Sequence, residues 1–165
     1  MMPVVWDTVE QLVPRLHAEV LSYDKEDSHK GSVCIHVGVG QPGAIRIETC
    51  AFNGEHTRLD AAQKLPCATK AGKCITGGAD ELHTSVDVDA IVDELSSSDL
   101  KIERSNDAGR YLCNFSFYLS QALTNNAIPV LFIHVPPIGH PHTKDELTRG
   151  IKAILECVVK QRFCQ

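Results

Sequence analysis

Apolar runs of only four to eight residues, set between stretches whose apolar residues recur every three or four positions, leave this chain few ways to fold. The runs are Ser32 to Val39, Ile45 to Phe52, Leu100 to Glu103 and Pro129 to Val135. The first and last are nearly continuous in apolar character, which predicts strands buried on both faces. The helical patterns are Trp6 to Val20, Val86 to Ser98, Tyr111 to Leu123 and Thr143 to Val159. Strands alternating with helices predict an α/β fold, a three-layer α/β/α sandwich around a mixed, mainly parallel sheet. With 165 residues the chain has room for one domain, read as 1–165.

Local signals refine that outline. Pro14 removes a backbone donor in the middle of the first helix and predicts a kink or a division there. Asp24 to Lys30 reads as a polar connection. The segment Asn53 to His83 is long for a loop and rich in Gly, Lys and Thr, so it is a hairpin excursion or a functional flap. Ser105 to Arg110 carries Asn, Asp and Gly at turn spacing, which puts Cys113 at a loop-to-helix junction. Thr143 with Glu146 three residues on is a capping box for the last helix.

Charge and composition exclude several classes. A net charge of −5 without a basic stripe argues against a nucleic-acid partner. No apolar run approaches the ~20 residues that cross a bilayer, and no secretory signal precedes Asp7, so a cytoplasmic protein is expected. Seven cysteines is an odd count without a Cys-x-x-Cys pair, which predicts mostly reduced, buried thiols and no zinc site. His140 and His142 flank a proline in a turn and read as exposed, and the lysines between Lys64 and Lys73 as a solvated face. No metal and no cofactor are assigned.

Three residues suit acyl-transfer chemistry. Cys113 falls in the first turn of a helix, where free N–H groups and the positive end of the dipole favour a thiolate and can hold an oxyanion. His134 ends a buried strand, and Glu48 lies in an extended segment where it can fix an imidazole tautomer. All three are placed at or near the carboxyl ends of strands, where ligands of open α/β sheets gather. By spacing alone each residue is equally at home in a core or on a surface.

The run Asp-Ala-Gly-Arg-Tyr-Leu-Cys-Asn at 107–114 resembles the nucleophile segment of the pyroglutamyl-peptidase I family of cysteine peptidases. Phe-Ile-His-Val-Pro-Pro at 132–137 resembles its histidine strand. The Gly-Gln-Pro-Gly turn at 40–43 and Glu-Thr-Cys-Ala-Phe-Asn at 48–53 are similar to its glycine-rich and glutamate segments. The resemblance implies removal of N-terminal pyroglutamyl residues from peptides, with Cys113 as nucleophile, His134 as base and Glu48 as orienter. It also suggests Arg58 as an oxyanion aid and Gln41 as a pocket residue. Two departures accompany it. The family's opening strand and Gly-Phe-x-Pro-Phe-Gly turn, whose aromatic residues help enclose the substrate ring, do not occur in these residues, so a domain lacking them is expected to turn over poorly. The glycine segment before Glu48 is about one residue short by comparison with the family, a register change that would tilt Glu48 away from His134. The alternatives are a truncated, catalytically silent relative with a binding or regulatory role, and a thiol hydrolase acting on another amide.

Overall fold

The computed structural model describes residues 2–26, 31–66, 72–125 and 127–163. In chain order these form α1 (Trp6–Glu26), β1 (Cys34–Val39), β2 (Ile45–Glu48), β3 (Cys50–Phe52), β4 (Glu81–His83), α2 (Val88–Glu94), β5 (Ile102–Ser105), α3 (Leu112–Thr124), β6 (Val130–Val135) and α4 (Lys144–Phe163). Residues 27–30, Cys67, Lys70 and Cys164, on which sequence expectations were placed, lie outside the described residues.

Four strands form the main sheet in the order β1-β6-β2-β5. β1 runs parallel to β6 and β2 parallel to β5, while β2 and β6 are antiparallel. The period-two alternation of β6 divides the interior. Val130 and Phe132 point into a cluster with Trp6, Val9, Phe115 and Phe117, under α1 and α3. Leu131 and Ile133 point the other way, into Ile45, Ile47, Leu147 and Ile154 and the α2/α4 side. This is the expected three-layer α/β/α arrangement.

Several sequence expectations are corrected. Pro14 neither divides nor ends α1, which runs as one helix. Its lost hydrogen bond is offset by anchoring at the front, where Trp6 is fully buried, donates its backbone N–H to Asp60 Oδ2 at 2.9 Å, and meets Tyr111 and Phe115 edge-on. Leu16, within the helical pattern Trp6 to Val20 and apolar, is about half exposed. β1 is not buried on both faces: it is an edge strand, and Val37 and Val39 are 50% and 67% exposed. The run Ile45 to Phe52 is two strands. At Thr49, whose N–H donates to Ser105 O at 2.7 Å, the chain leaves the main sheet, and β3 pairs with β4 at the base of the excursion between them. α2 is shorter than expected, starting from Asp87, whose carboxylate accepts Ala90 N–H, and giving way to turns after Glu94. α4 carries the expected capping box, with Thr143 N–H donating to Glu146 Oε2 and Glu146 N–H to Thr143 Oγ1. Lys64 and Lys73 are ion-paired with Asp7 and Asp80 rather than only solvated.

Candidate active site

Glu48 and His134 are brought together across the antiparallel β2–β6 pair. Arg46 stands directly opposite His134 and Glu48 opposite Phe132, so Glu48 lies one diagonal deeper into the sheet on the same face as the imidazole. Glu48 is the last residue of β2 and His134 the last but one of β6, so both lie at or near the carboxyl ends of their own strands, although β2 runs against β6. The shortened glycine segment does not tilt the carboxylate away: His134 Nδ1 donates to Glu48 Oε1 at 2.7 Å. Both side chains are nearly closed to solvent, Glu48 at 1% and His134 at 10% exposure. With Nδ1–H committed to the carboxylate, Nε2 is the ring nitrogen left to exchange a proton with a neighbouring group.

On the other side of the ring is Cys113, the second residue of α3, whose interaction with the imidazole helps to raise the His134 pKa. The turn before it is built as the sequence indicates: Asp107 Oδ1 accepts Gly109 N–H, and Gly109 adopts φ of 79°. The N-cap residue is Tyr111, in extended conformation and without a side-chain cap, so the first-turn N–H groups around Cys113 receive no capping oxygen. Burial by itself would lower the His134 pKa, but hydrogen bonding to Cys113 and Glu48, with their charges, outweighs it and raises the pKa to about 9. Burial pushes the Cys34 and Cys50 thiols up to about 11 and also raises Cys74 and Cys157, so these four stay protonated at neutral pH.

Sequence reasoning missed the residues that hold this arrangement in place. A Cβ on Gly38 would lie 2.9 Å from the Phe132 ring and 3.3 Å from Cys113 Sγ, and one on Gly40 would lie 2.9 Å from His134 Cβ. The glycines therefore let β1 and its exit pass directly behind the reacting groups, and the Gly-Val-Gly spacing was their only signal. Asn114 ties the start of α3 to β3. Its Oδ1 accepts Phe52 N–H, and its Nδ2 donates to Phe52 O and to His56 Nε2. His56 is in turn held by donating Nδ1–H to Gly72 O at 2.9 Å. Asn114→Ala is expected to lower stability by about 3 kcal/mol, since it strands three buried partners. Chemical denaturation checks this, with the loss read as a lower midpoint at unchanged m-value.

Arg58 and Gln41 are both exposed. The Arg58 guanidinium lies 4.8 Å over the Tyr111 ring, and Gln41 uses its carbonyl to accept from Arg46. Among the described residues no hydrogen bond joins either to Cys113, His134 or Glu48. His140 is exposed as expected, but His142 is half-buried. A cleft of about 460 Å³ between Val33, Pro129 and Arg162 lies at the amino ends of β1 and β6, away from the triad, and so plays no part in its chemistry. No described helix is long and apolar enough to cross a membrane.

The sequence profile of the pyroglutamyl peptidase family matches residues 8–159, and so takes in all three residues. The chain belongs to that family. It is similar to "Pyroglutamyl-peptidase 1" of Rattus norvegicus, 32% identical over 157 residues that cover 93% of this chain and 68% of that protein. It is also similar to "Pyroglutamyl-peptidase 1-like protein" of Homo sapiens, 26% identical over 82% of this chain and 67% of that one. Pyrrolidone carboxyl peptidase structures share the fold. That from Pyrococcus furiosus has a TM-score of 0.80 at 22% identity, covering 98% of this chain and 81% of the other. That from Thermus thermophilus has a TM-score of 0.76 at 24% identity, covering 94% and 79%.

Proposed function

We propose that this chain is a cysteine peptidase that removes N-terminal pyroglutamyl residues from peptides, and that Cys113, His134 and Glu48 are its catalytic residues. The observation that supports the roles most directly is the 2.7 Å hydrogen bond from the His134 ring to the buried Glu48 carboxylate, on a ring that Cys113 also acts upon. His134 Nε2 takes the thiol proton, and the thiolate attacks the carbonyl carbon of the pyroglutamyl peptide bond. The tetrahedral oxyanion is held by the uncapped N–H groups at the start of α3. The imidazolium then protonates the leaving amine as the C–N bond breaks. Water, deprotonated by the same ring, hydrolyses the thioester and returns Cys113 to its starting state. No cofactor enters these steps. Arg58 and Gln41 are assigned to the substrate side of the site on the family resemblance alone. The cytoplasm suits a nucleophile that works only as a reduced thiol.

Turnover of a fluorogenic pyroglutamyl amide tests the reading. Release that persists unchanged in Cys113→Ala would reject the nucleophile, while a chain that cleaves other aminoacyl amides equally well would reject the substrate class.

The raised pKa of His134 sets the pH response. The imidazolium is the form favoured by Glu48 and Cys113, so leaving-group protonation is intact up to about pH 9 and falls about tenfold per unit above it. The linked stability has the same sign. The ring's folded pKa lies above its unfolded value of ~6.5, so its contribution is complete below that value and is lost as pH rises through about 9. Glu48→Gln removes one of the two interactions that raise the pKa, and the alkaline limb of kcat/KM should then move down. A limb that stays in place in this variant would assign it to another group.

A further inference from the structure

Away from the triad, a thiol and two imidazoles converge between α1, β1 and α3. Cys34 Sγ lies 3.8 Å from His17 Nε2 and 3.6 Å from His36 Nε2, and the three ligand atoms all fall within 4.8 Å of one another. Cys34 and His36 are two residues apart on one strand and therefore share a face, while His17 comes down from the helix above it. We propose that His17 Nε2, Cys34 Sγ and His36 Nε2 form a zinc site that fastens α1 to the edge strand of the sheet.

The distances suit that ion. Tetrahedral zinc with Zn–N of about 2.0 Å and Zn–S of about 2.3 Å sets nitrogen and sulfur about 3.6 Å apart, so the side chains need little movement to close on the metal. As a plain core residue His17 is poorly satisfied. His17 is 4% exposed, yet its Nδ1 has no hydrogen-bond partner among the described residues and its Nε2 faces only a sulfur, which is a weak partner. Two nitrogens and a thiolate are a borderline-soft donor set, better suited to zinc than to magnesium or calcium. Ser120 Oγ, 2.8 Å from His36 Nε2, is positioned to hydrogen-bond a water in the fourth position once the imidazole turns to the metal. Cys34 is a thiol at neutral pH, and binding forms the Zn–S bond as the thiol proton leaves to solvent.

The site is separate from the catalytic one. The His36 ring stacks on Phe132 at 5.7 Å, and Phe132 packs against His134 at 4.7 Å, so one phenyl ring stands between them and no ligand is shared. The sequence reading assigned no zinc because it looked for paired cysteines. The Cys-Ile-His at 34–36 was the available sign, but the third ligand lies 17 residues earlier on another element.

Cobalt titrated into the full chain tests the proposal, with Cys113→Ser as background so that the Cys113–His134 pair cannot contribute. One equivalent of Co²⁺ should give a sulfur-to-metal charge-transfer band that Zn²⁺ displaces. The band should vanish with Cys34→Ser, weaken at least tenfold in affinity with His17→Ala, and survive Cys50→Ser, which removes the thiol of the more exposed Cys50, Glu81 and His83 cluster. In the same Cys113→Ser background, Zn²⁺ but not Mg²⁺ should slow alkylation of Cys34, mapped by mass spectrometry, and raise the unfolding midpoint by several degrees. The second measurement decides the matter if Cys34→Ser fails to fold. A band that persists in Cys34→Ser, one abolished by Cys50→Ser, or a Cys34 alkylation rate indifferent to Zn²⁺ would overturn the assignment.

Discussion

Cys113→Ala and His134→Ala are each expected to lower kcat/KM on a pyroglutamyl amide by about 10⁵-fold, with the double variant losing little more than either alone. The reason is that the two groups act in one step. Without the imidazole the thiol is not deprotonated and the leaving amine is not protonated, and without the sulfur there is no acyl acceptor for those proton transfers to serve. Glu48→Gln keeps the shape and one hydrogen-bonding oxygen, so its loss should be about tenfold to a hundredfold smaller than that of His134→Ala. Steady-state kinetics on the four proteins, checked for equal folding by circular dichroism, measures this. If the single losses multiplied in the double variant, the residues would be acting independently and the shared mechanism would fail.

Gly40→Ala should cost about a hundredfold in kcat although Gly40 touches no substrate in the proposed chemistry. The added methyl would lie 2.9 Å from His134 Cβ and 3.1 Å from Cγ, the stiff root of the side chain rather than a movable tip. Gly40 is also fixed from behind, since its N–H donates to Val135 O at 2.8 Å. The imidazole therefore has to yield, and it can do so only by lengthening its bond to Glu48 or losing Cys113. Overpacking of this kind also costs stability, about 1–3 kcal/mol. The distinguishing readout is the alkaline limb of the pH profile. A displaced ring loses part of the support that raises its pKa, so the limb moves down, whereas a merely destabilised chain keeps it in place while expressing less folded protein.

The elements legible in the sequence were those whose apolar period is long and uninterrupted. β6, α3 and α4 stand within a few residues of where periodicity and caps put them, because burial on both sides of β6 and the Thr143–Glu146 box are local facts. What could not be read were properties that depend on neighbours. β1 and β6 have the same continuous apolar character, yet one is at the edge and the other inside, and only the pairing order separates them. The division at Thr49 likewise depends on Ser105, more than fifty residues away. In the site, Cys113 and His134 were visible from their places on elements. The meeting of Glu48 with His134 depended on the direction of β2, which a four-residue strand does not announce. Asn114 closed the run at 107–114 that resembles the family, but its role was not legible, since an asparagine in a helix reads as surface until its partners Phe52 and His56 are known.

The setting of α3 bears on how inhibitors should bind. Ten of its thirteen residues are buried, among them Phe115, Phe117 and Tyr118, so the helix that bears Cys113 is part of the core rather than a movable flank. A nucleophile mounted in this way cannot be drawn toward a ligand, nor can its oxyanion donors rearrange to follow one. Aldehydes and other carbonyl electrophiles should therefore associate in a single kinetic phase, without slow tightening. Their relative potencies should track how well the free molecule already matches a fixed arrangement of sulfur and N–H groups.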